Sequence, residues 1–453
     1  MNTDLIKKYN VPGPRYTSYP TVPYWDKERP AENDWKLRVK KTFQSTNNSD
    51  GISVYIHLPY CESLCTYCGC NTRITKNHLV EKPYILAVLN EWSMYLDVFE
   101  ETPRISELHL GGGTPTFFSP ENLKSLIEGL TSTAVITKNA TFSFEGHPGN
   151  TTEQHLKVLA DLGFNRVSYG IQDFDEKVQE AIHRFQTVEE VSWVTTQSKK
   201  FGYDSVNYDL VYGLPFQTLD GITRTLDEVI KLRPDRIAFY SYAHVPWVKP
   251  GQRKFTELDL PAPDEKRAMY EKGREMFELA GYKEIGMDHF ALPGDELMVS
   301  EMKGELHRNF MGYTSKHTKL LVGLGVSSIS DCETAYVQNE KKVEDYIALV
   351  NKGNWPFFKG HLLSDEDLII RKHISNLMCR FSTSWDDEKM QTEAWYEGLE
   401  RLSEFVEDGL LLHNPYSIQV TQLGRNFIRN ICMSFDAKLW RNLPTTELFS
   451  STV

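Results

Sequence analysis

Between Ser53 and about Ser330, short β-branched or aromatic runs alternate with longer segments whose apolar positions recur at helical spacing. Such alternation predicts βα units around a parallel sheet. The predicted strands are Ser53–Leu58, Ile105–Leu110, Ala140–Glu145, Arg166–Ile171, Ser205–Tyr212 and Arg236–Tyr242. The segments Leu79–Phe99, Pro120–Thr131, Thr152–Leu162, Val188–Phe201 and Leu219–Leu232 read as helices. Ser119-Pro120-Glu121 and Thr151-Thr152-Glu153 supply helix starts, with proline or an acid in the first turn. Six repeats of this kind predict an α/β fold, either a barrel or partial barrel or an open doubly wound sheet.

The flanks break this pattern. Residues 1–45 contain Val11-Pro-Gly-Pro-Arg-Tyr-Thr-Ser-Tyr-Pro20, too turn-rich for a helix and read as an ordered arm against the main body. From about Tyr336 the pattern turns helical, with a strand-like stretch near Gly409–Val420 and a last helix around Leu423–Cys432. The predicted division is therefore an arm (1–45), a barrel (46–335) and a smaller, mainly helical C-terminal domain (336–453). Neither a solenoid repeat nor a low-complexity segment is present.

Composition narrows the function. The 453 residues carry 50 Lys plus Arg against 62 Asp plus Glu, a formal charge of −12. This acidity argues against broad nucleic-acid binding, which needs a basic field, but leaves room for a local basic pocket holding an acidic small molecule. Apolar runs such as Leu320–Val326 are far shorter than the roughly 20 residues that span a bilayer, so no membrane partner is expected. The first residues lack an apolar core followed by a small-residue cleavage site, and a cytoplasmic location is expected.

Four of the seven cysteines fall within ten residues, at Cys61, Cys65, Cys68 and Cys70. An odd total with one dense cluster is unlike a disulfide framework and suits metal or redox ligands. Directly after the first predicted strand, Cys61, Cys65 and Cys68 form a C-x3-C-x2-C line. Three thiolates on so tight a loop can wrap one face of a [4Fe–4S] cube, leaving the fourth iron open. That spacing resembles the pattern of radical S-adenosylmethionine (SAM) enzymes, as does the aromatic Tyr67 before the third cysteine. A zinc knuckle is the alternative, but zinc sites usually pair C-x2-C with distant Cys or His. Cys70, so close to Cys68, has poor geometry for closing the same cube and is expected near the active site without iron.

Other polar and glycine positions fall at strand ends, where active sites of parallel αβ barrels gather. Gly111-Gly112-Gly113-Thr114 follows the second strand, and the glycines allow a close backbone approach to a ligand. Glu145 ends the third strand and could bind an ammonium or a ribose. Gln172, Asp209 and Ala243-His244 follow at the fourth, fifth and sixth.

Across nearly its whole length the chain resembles the oxygen-independent coproporphyrinogen III oxidases of the radical SAM superfamily. The resemblance rests on Gly13–Pro20, the cysteine line, Gly111–Thr116, Asn207–Pro215, Gly286–Ala291 and His307–Thr314. It implies a partial (β/α)6 barrel of radical SAM type that carries one [4Fe–4S] cluster and two SAM molecules. It also implies cluster ligation by Cys61, Cys65 and Cys68. The first SAM would meet Tyr55, Gly112, Glu145 and Ile329, and the second Tyr67, Gly113, Thr114, Gln172, Arg184, Asp209 and Ala243. The sequence departs from the family at His147, where an acid or amide is common, and at Met311, often Gln.

The implied reaction converts the ring A and B propionates of coproporphyrinogen III to vinyls with loss of carbon dioxide, giving protoporphyrinogen IX in haem biosynthesis. A propionate β-hydrogen is not acidic, so a radical route is required. Glu145, Cys70 and Arg308 are the candidate catalytic residues, and Arg15, Arg184 and Arg308 the candidate partners of substrate carboxylates. Tyr16 and Tyr19 are expected to help the arm close over the site. An electron-donor protein and a monomeric state are expected as well. The rival is a haem-binding chaperone or trafficking protein of the same superfamily. Such relatives generally lack Cys70 and the arm with Arg15 and Tyr16, and both are present here.

Overall fold

The computed structural model describes residues 3–26, 28–444 and 448–452. All six expected strands form, as Ile52–Leu58, Arg104–Gly112, Val135–Gly146, Phe164–Gln172, Ser205–Tyr212 and Arg236–Ser241. The third begins earlier than its apolar pattern, at Val135, because the polar stretch 137–139 continues the strand without contributing to the core. The intervening helices also form, and their starts are capped as the sequence indicates. Ser119 accepts from Asn122 N, while Thr152 and Thr187 close capping boxes with His155 and Glu190. Helices Glu176–Ile182, Pro263–Leu279 and Glu296–Met302 were not among the expected segments; the first and last hold too few turns for their apolar spacing to register.

Consecutive strands lie side by side and parallel, and Leu321–Leu324 adds a seventh parallel strand on the other side of the first. Antiparallel strands extend both edges, ending at Phe357–Leu362 and Lys283–Gly286, so the sheet does not close. Each crossover helix packs on the next, from Glu81–Phe99 round to Leu219–Leu232. They form one outer layer, whereas a doubly wound sheet would place helices on both faces. Side chains from the second through the sixth strands also line a single cavity, so the sheet curls round a lumen. The architecture is a partial barrel.

Alternation along the strands decides what faces each side. Val54, Leu108, Phe144, Tyr169, Tyr208 and Phe239 point outward into the main core beneath the helices. Full burial of such side chains is worth about 1.5–3 kcal/mol each. The intervening residues that line the lumen are mostly polar, among them Glu107, His109, Ser143, Glu145, Ser168, Asn207 and Asp209. Register sets Tyr55 opposite His109, His109 opposite Ser143, Glu145 opposite Ser168, and Ser168 opposite Asn207.

Two expectations about the flanks change. The main sheet continues through Ala335–Asn339 and Phe357–Leu362, past the expected boundary at 335/336. Residues 1–45 are not a uniform arm either. Helix Glu32–Thr46 buries Trp35, Val39 and Phe43 in the barrel core. Upstream, Leu5, Tyr9, Tyr16 and Tyr19 join a second core built mainly on helices Asp365–Arg380 and Ile428–Ser434 and a three-stranded sheet, Ser382–Ser384, Leu411–Asn414 and Ser417–Val420. Tyr16 donates to Asp436 (3.1 Å), and Arg429 holds the carbonyl of Pro14 (2.9 Å). Tyr16 and Tyr19 thus pack in the C-terminal core and do not line the barrel lumen. Among the described residues, no helix is long and apolar enough to cross a membrane.

Candidate active site

The cysteine loop leaves the first strand and is tied down at both ends. Tyr60–Cys61 pairs with Arg73–Ile74, Thr66 N donates to Ile182 O (2.9 Å), and Gly113 N donates to Leu58 O (2.8 Å). His57 bridges Tyr55 Oη (3.0 Å) and the carbonyl of Asn71 (2.8 Å), fastening the end of the loop to the strand. A Cβ at Gly113 would sit 2.6 Å from the Pro59 carbonyl. At Gly112, where φ is +115°, a Cβ would meet the His57 ring at 2.7 Å. The glycines therefore let the two strand-end loops pack on each other, a use beyond the ligand approach expected of them.

Cys61, Cys65 and Cys68 line one cavity of about 350 Å³ together with Tyr67, Gly112, Gly113, Thr114, Glu145, Gln172, Arg184 and Asp209. All described cysteines are free thiols. Thr114 Oγ1 is 3.3 Å from Cys61 Sγ, Arg184 Nη1 points to Cys65 Sγ at 3.8 Å, and Cys70 N donates to Cys68 Sγ at 3.4 Å. An all-sulfur donor set suits an iron–sulfur cluster. Among the described residues no three His, Cys, Asp or Glu side chains converge closely enough for one ion. A cube presents its irons on separate corners, and three thiols spread round a cavity fit that demand.

A second cavity of about 560 Å³ adjoins the first, lined by Tyr55, His57, His109, Phe310, Met311, Ile329 and the mouth residues Lys249 and Lys341. Glu145 and Cys70 line both. Ala243 lies outside these walls but is held near Tyr67, since Gln252 Nε2 donates to Tyr67 O (3.0 Å) and Ala243 O (3.3 Å). Trp25 of the arm stacks on Tyr336 (5.1 Å between ring centres) and meets Phe310 edge-on, backing the cavity wall.

Charges within the site are graded by partners. Burial alone would raise the Glu145 carboxyl, but His109 Nε2 (3.4 Å) and the Gly112 N–H (3.1 Å) overcome it, and Glu145 titrates below the usual range. Asp209, bonded to Ser168 (3.0 Å) and Asn207 (2.8 Å), is pushed up to about 6 by burial and by Glu145. Burial holds the Cys61 thiol up, at about 11, and raises Cys65 as well. Cys68 is lowered to about 6, chiefly because Cys70 donates to it. Arg184 donates to Gly170 O (2.5 Å), while its Nε is buried with no partner among the described residues.

Arg308 and Arg15 stand apart. Arg308 lies over the ring of Tyr313, 4.6 Å from its centre, and Tyr313 lines the barrel lumen. Arg15 pairs with Asp288 (3.3 Å) and lines a small cavity behind the sixth strand, so as a partner for a substrate carboxylate it is already engaged. His147, one of the departures, caps Gly149 N and lines the cysteine cavity; burial and Arg184 hold it neutral, at about 3. Met311, the other, lines the lumen and the second cavity. Sequence reasoning missed His57, His109, Ser168 and Asn207. Their signal was a polar residue at every second position of strands that are otherwise apolar.

Comparison with known proteins places this geometry in a class: residues 55–229 match the radical SAM superfamily. The chain is 38% identical over 450 residues to the oxygen-independent coproporphyrinogen III oxidase of Pseudomonas aeruginosa, covering 97% of this chain and 96% of that one. It is 36% identical over 454 residues to that of Escherichia coli K12, covering 99% and 98%. A solved structure of the Escherichia coli coproporphyrinogen III oxidase, described as a radical SAM enzyme, superposes with a TM-score of 0.89 at 35% identity, covering 96% of this chain and 98% of that one. The protein belongs to the family of oxygen-independent coproporphyrinogen III oxidases.

Proposed function

We propose that the protein converts the ring A and B propionates of coproporphyrinogen III to vinyl groups, giving protoporphyrinogen IX in anaerobic haem biosynthesis. The observation that carries this reading is one continuous site. Three thiols, the glycine loop, Glu145 and Arg184 share a cavity that meets a second, larger one at Glu145 and Cys70.

When bound, a [4Fe–4S] cluster and SAM supply a 5′-deoxyadenosyl radical able to take an unactivated hydrogen. Cys61, Cys65 and Cys68 would hold the cluster. Glu145 is ionised at neutral pH and would take the methionine ammonium, with Tyr55, Gly112 and Ile329 around the same molecule. The free Nε of Arg184 would meet the carboxylate of a second SAM, and Asp209 its hydroxyls, beside Tyr67, Gly113, Thr114, Gln172 and Ala243. Cys70 faces both cavities and would sit between radical source and substrate. Trp25, Phe310 and Tyr336 would keep water from the reacting groups.

The division of the chain would fall near residue 363, after the last strand of the main sheet, rather than at 336. The enzyme would act as a cytoplasmic monomer fed by a protein electron donor at the exposed loop 62–64. The test is anaerobic turnover with reconstituted cluster, SAM, reductant and coproporphyrinogen III, scored by mass for product and 5′-deoxyadenosine. Two decarboxylations with matching deoxyadenosine are expected. Deoxyadenosine without vinyl product would move the substrate elsewhere, and neither product with an intact cluster would reopen haem binding.

A further inference from the structure

Of the arginines in and around the barrel, three are already matched by carboxylates. Arg15 pairs with Asp288 (3.3 Å), Arg236 with Asp295 (2.6 Å), and Arg166 with Glu296 (3.8 Å). Arg308 has no carboxylate partner among the described residues, and its Nε and Nη1 are buried without any hydrogen bond. Buried donors left without a partner are destabilising unless a ligand supplies an acceptor.

The surroundings of Arg308 are built to orient such an anion. Arg308 and Tyr313 are cross-strand partners in the hairpin His307–Asn309 and Gly312–Thr314, and the guanidinium lies flat on the Tyr313 ring. His289 meets the same ring edge-on at 5.3 Å. His289 Nε2 is held by Tyr240 Oη at 3.3 Å, which leaves Nδ1 buried and unpartnered. Tyr240, His289 and Tyr313 line a cavity of about 150 Å³ that continues upward to Glu145 and Asp209. Burial and the neighbouring arginines hold His289 neutral, at about 3, so Nδ1 can be a donor without adding charge.

We propose that Arg308 and His289, on either side of Tyr313, form a carboxylate seat at the edge of the barrel lumen that anchors one propionate of the substrate, with Tyr240 fixing the histidine. This rests on the substrate reading above and extends it: the tetrapyrrole would be held by a propionate inserted into the lumen, on the side of Glu145 away from the cysteine loop. The planar guanidinium matches a carboxylate in two-point contact, which lysine cannot reproduce.

The test is equilibrium binding to the anaerobic, cluster-loaded protein. The probes are coproporphyrin III, its tetra-amide and SAM, each followed separately by fluorescence or filtration. The parent should bind the acid well above the amide. Arg308→Gln and His289→Phe should each weaken acid binding by about tenfold or more, narrow the acid-to-amide ratio, and leave SAM binding unchanged. Arg308→Lys, which keeps the charge and guards against misfolding, should recover only part of the loss. Unchanged acid binding in Arg308→Gln overturns the seat. So does a loss confined to SAM, which would give the site to the methionine carboxylate. A parent protein that binds no coproporphyrin III overturns the substrate reading instead.

Discussion

The barrel lumen and the C-terminal core both bury histidines and aromatic rings, yet they use them in opposite ways. In the C-terminal core, His373 is closed on both sides. Its ring lies 3.6 Å from Trp395, Nδ1 meets Thr383 (2.8 Å) and Nε2 meets the Met390 carbonyl (2.7 Å). Around the barrel cavities, His289 keeps Nδ1 free, and Arg308 and Arg184 keep donors free as well, among the described residues. Trp395 Nε1 and Tyr19 Oη in the C-terminal core also lack partners, so an open donor by itself marks nothing. Around the barrel the open donors belong to groups that line or adjoin cavities, where a ligand can complete them.

The sharpest contrast is between cysteines of the two kinds. Cys65→Ser should abolish the cluster and turnover, whereas Cys332→Ser, buried in the main core, should leave both intact. Iron content and visible absorbance decide it, and full iron in Cys65→Ser would remove the ligand assignment. Next, Trp395→Ala should unfold the C-terminal core more easily by about 3–5 kcal/mol, because it empties a stack on His373 and Phe435. Denaturant unfolding measures this; a loss under 1 kcal/mol would mean the core is not the closed scaffold described.

Glu145→Gln keeps the shape of the lumen and deletes a charge. It should weaken SAM binding by about tenfold or more, as expected for a lost charge-assisted hydrogen bond, with unfolding unchanged. Affinity and stability measured on the same sample separate a ligand contact from a structural one.

The smallest effects are in pH. His373 is held at about 4 by burial against an ordinary 6.5, so the unfolded chain binds its proton first as the solution is acidified. Its contribution to stability is intact above pH 6.5, falls between 6.5 and 4, and His373→Gln should flatten that slope in a series of thermal unfolding curves. Asp209 differs because its ionised form matters to a ligand: with its carboxyl at about 6, SAM affinity should decline as pH drops through 6. An affinity flat from pH 7.5 to 5 would remove Asp209 from the contacts.

Much of the barrel was legible because strand and helix periods differ and each element repeats its own. Ser205–Tyr212, Pro120–Thr131 and Leu219–Leu232 form with the ends that their patterns indicate. The C-terminal boundary was not legible. Ala335–Asn339 is an ordinary strand whose membership in the main sheet depends on pairing with Ile329–Asp331 and Phe357–Leu362. Nor was the place of the arm: Tyr16 and Tyr19 show nothing in their spacing that separates closing a site from filling a core.

The sequence by itself determined the element order, the cysteine loop after the first strand and the polar residues at strand ends, because these are local relations along the chain. The tertiary structure alone decided which of them meet. Sheet curvature and register bring Glu145 beside His109 and Gly112, engage Arg15 with Asp288 and leave Arg308 without a counter-ion among the described residues. Charge balance in a buried space is a sum over neighbours from distant segments, and no local pattern contains that sum.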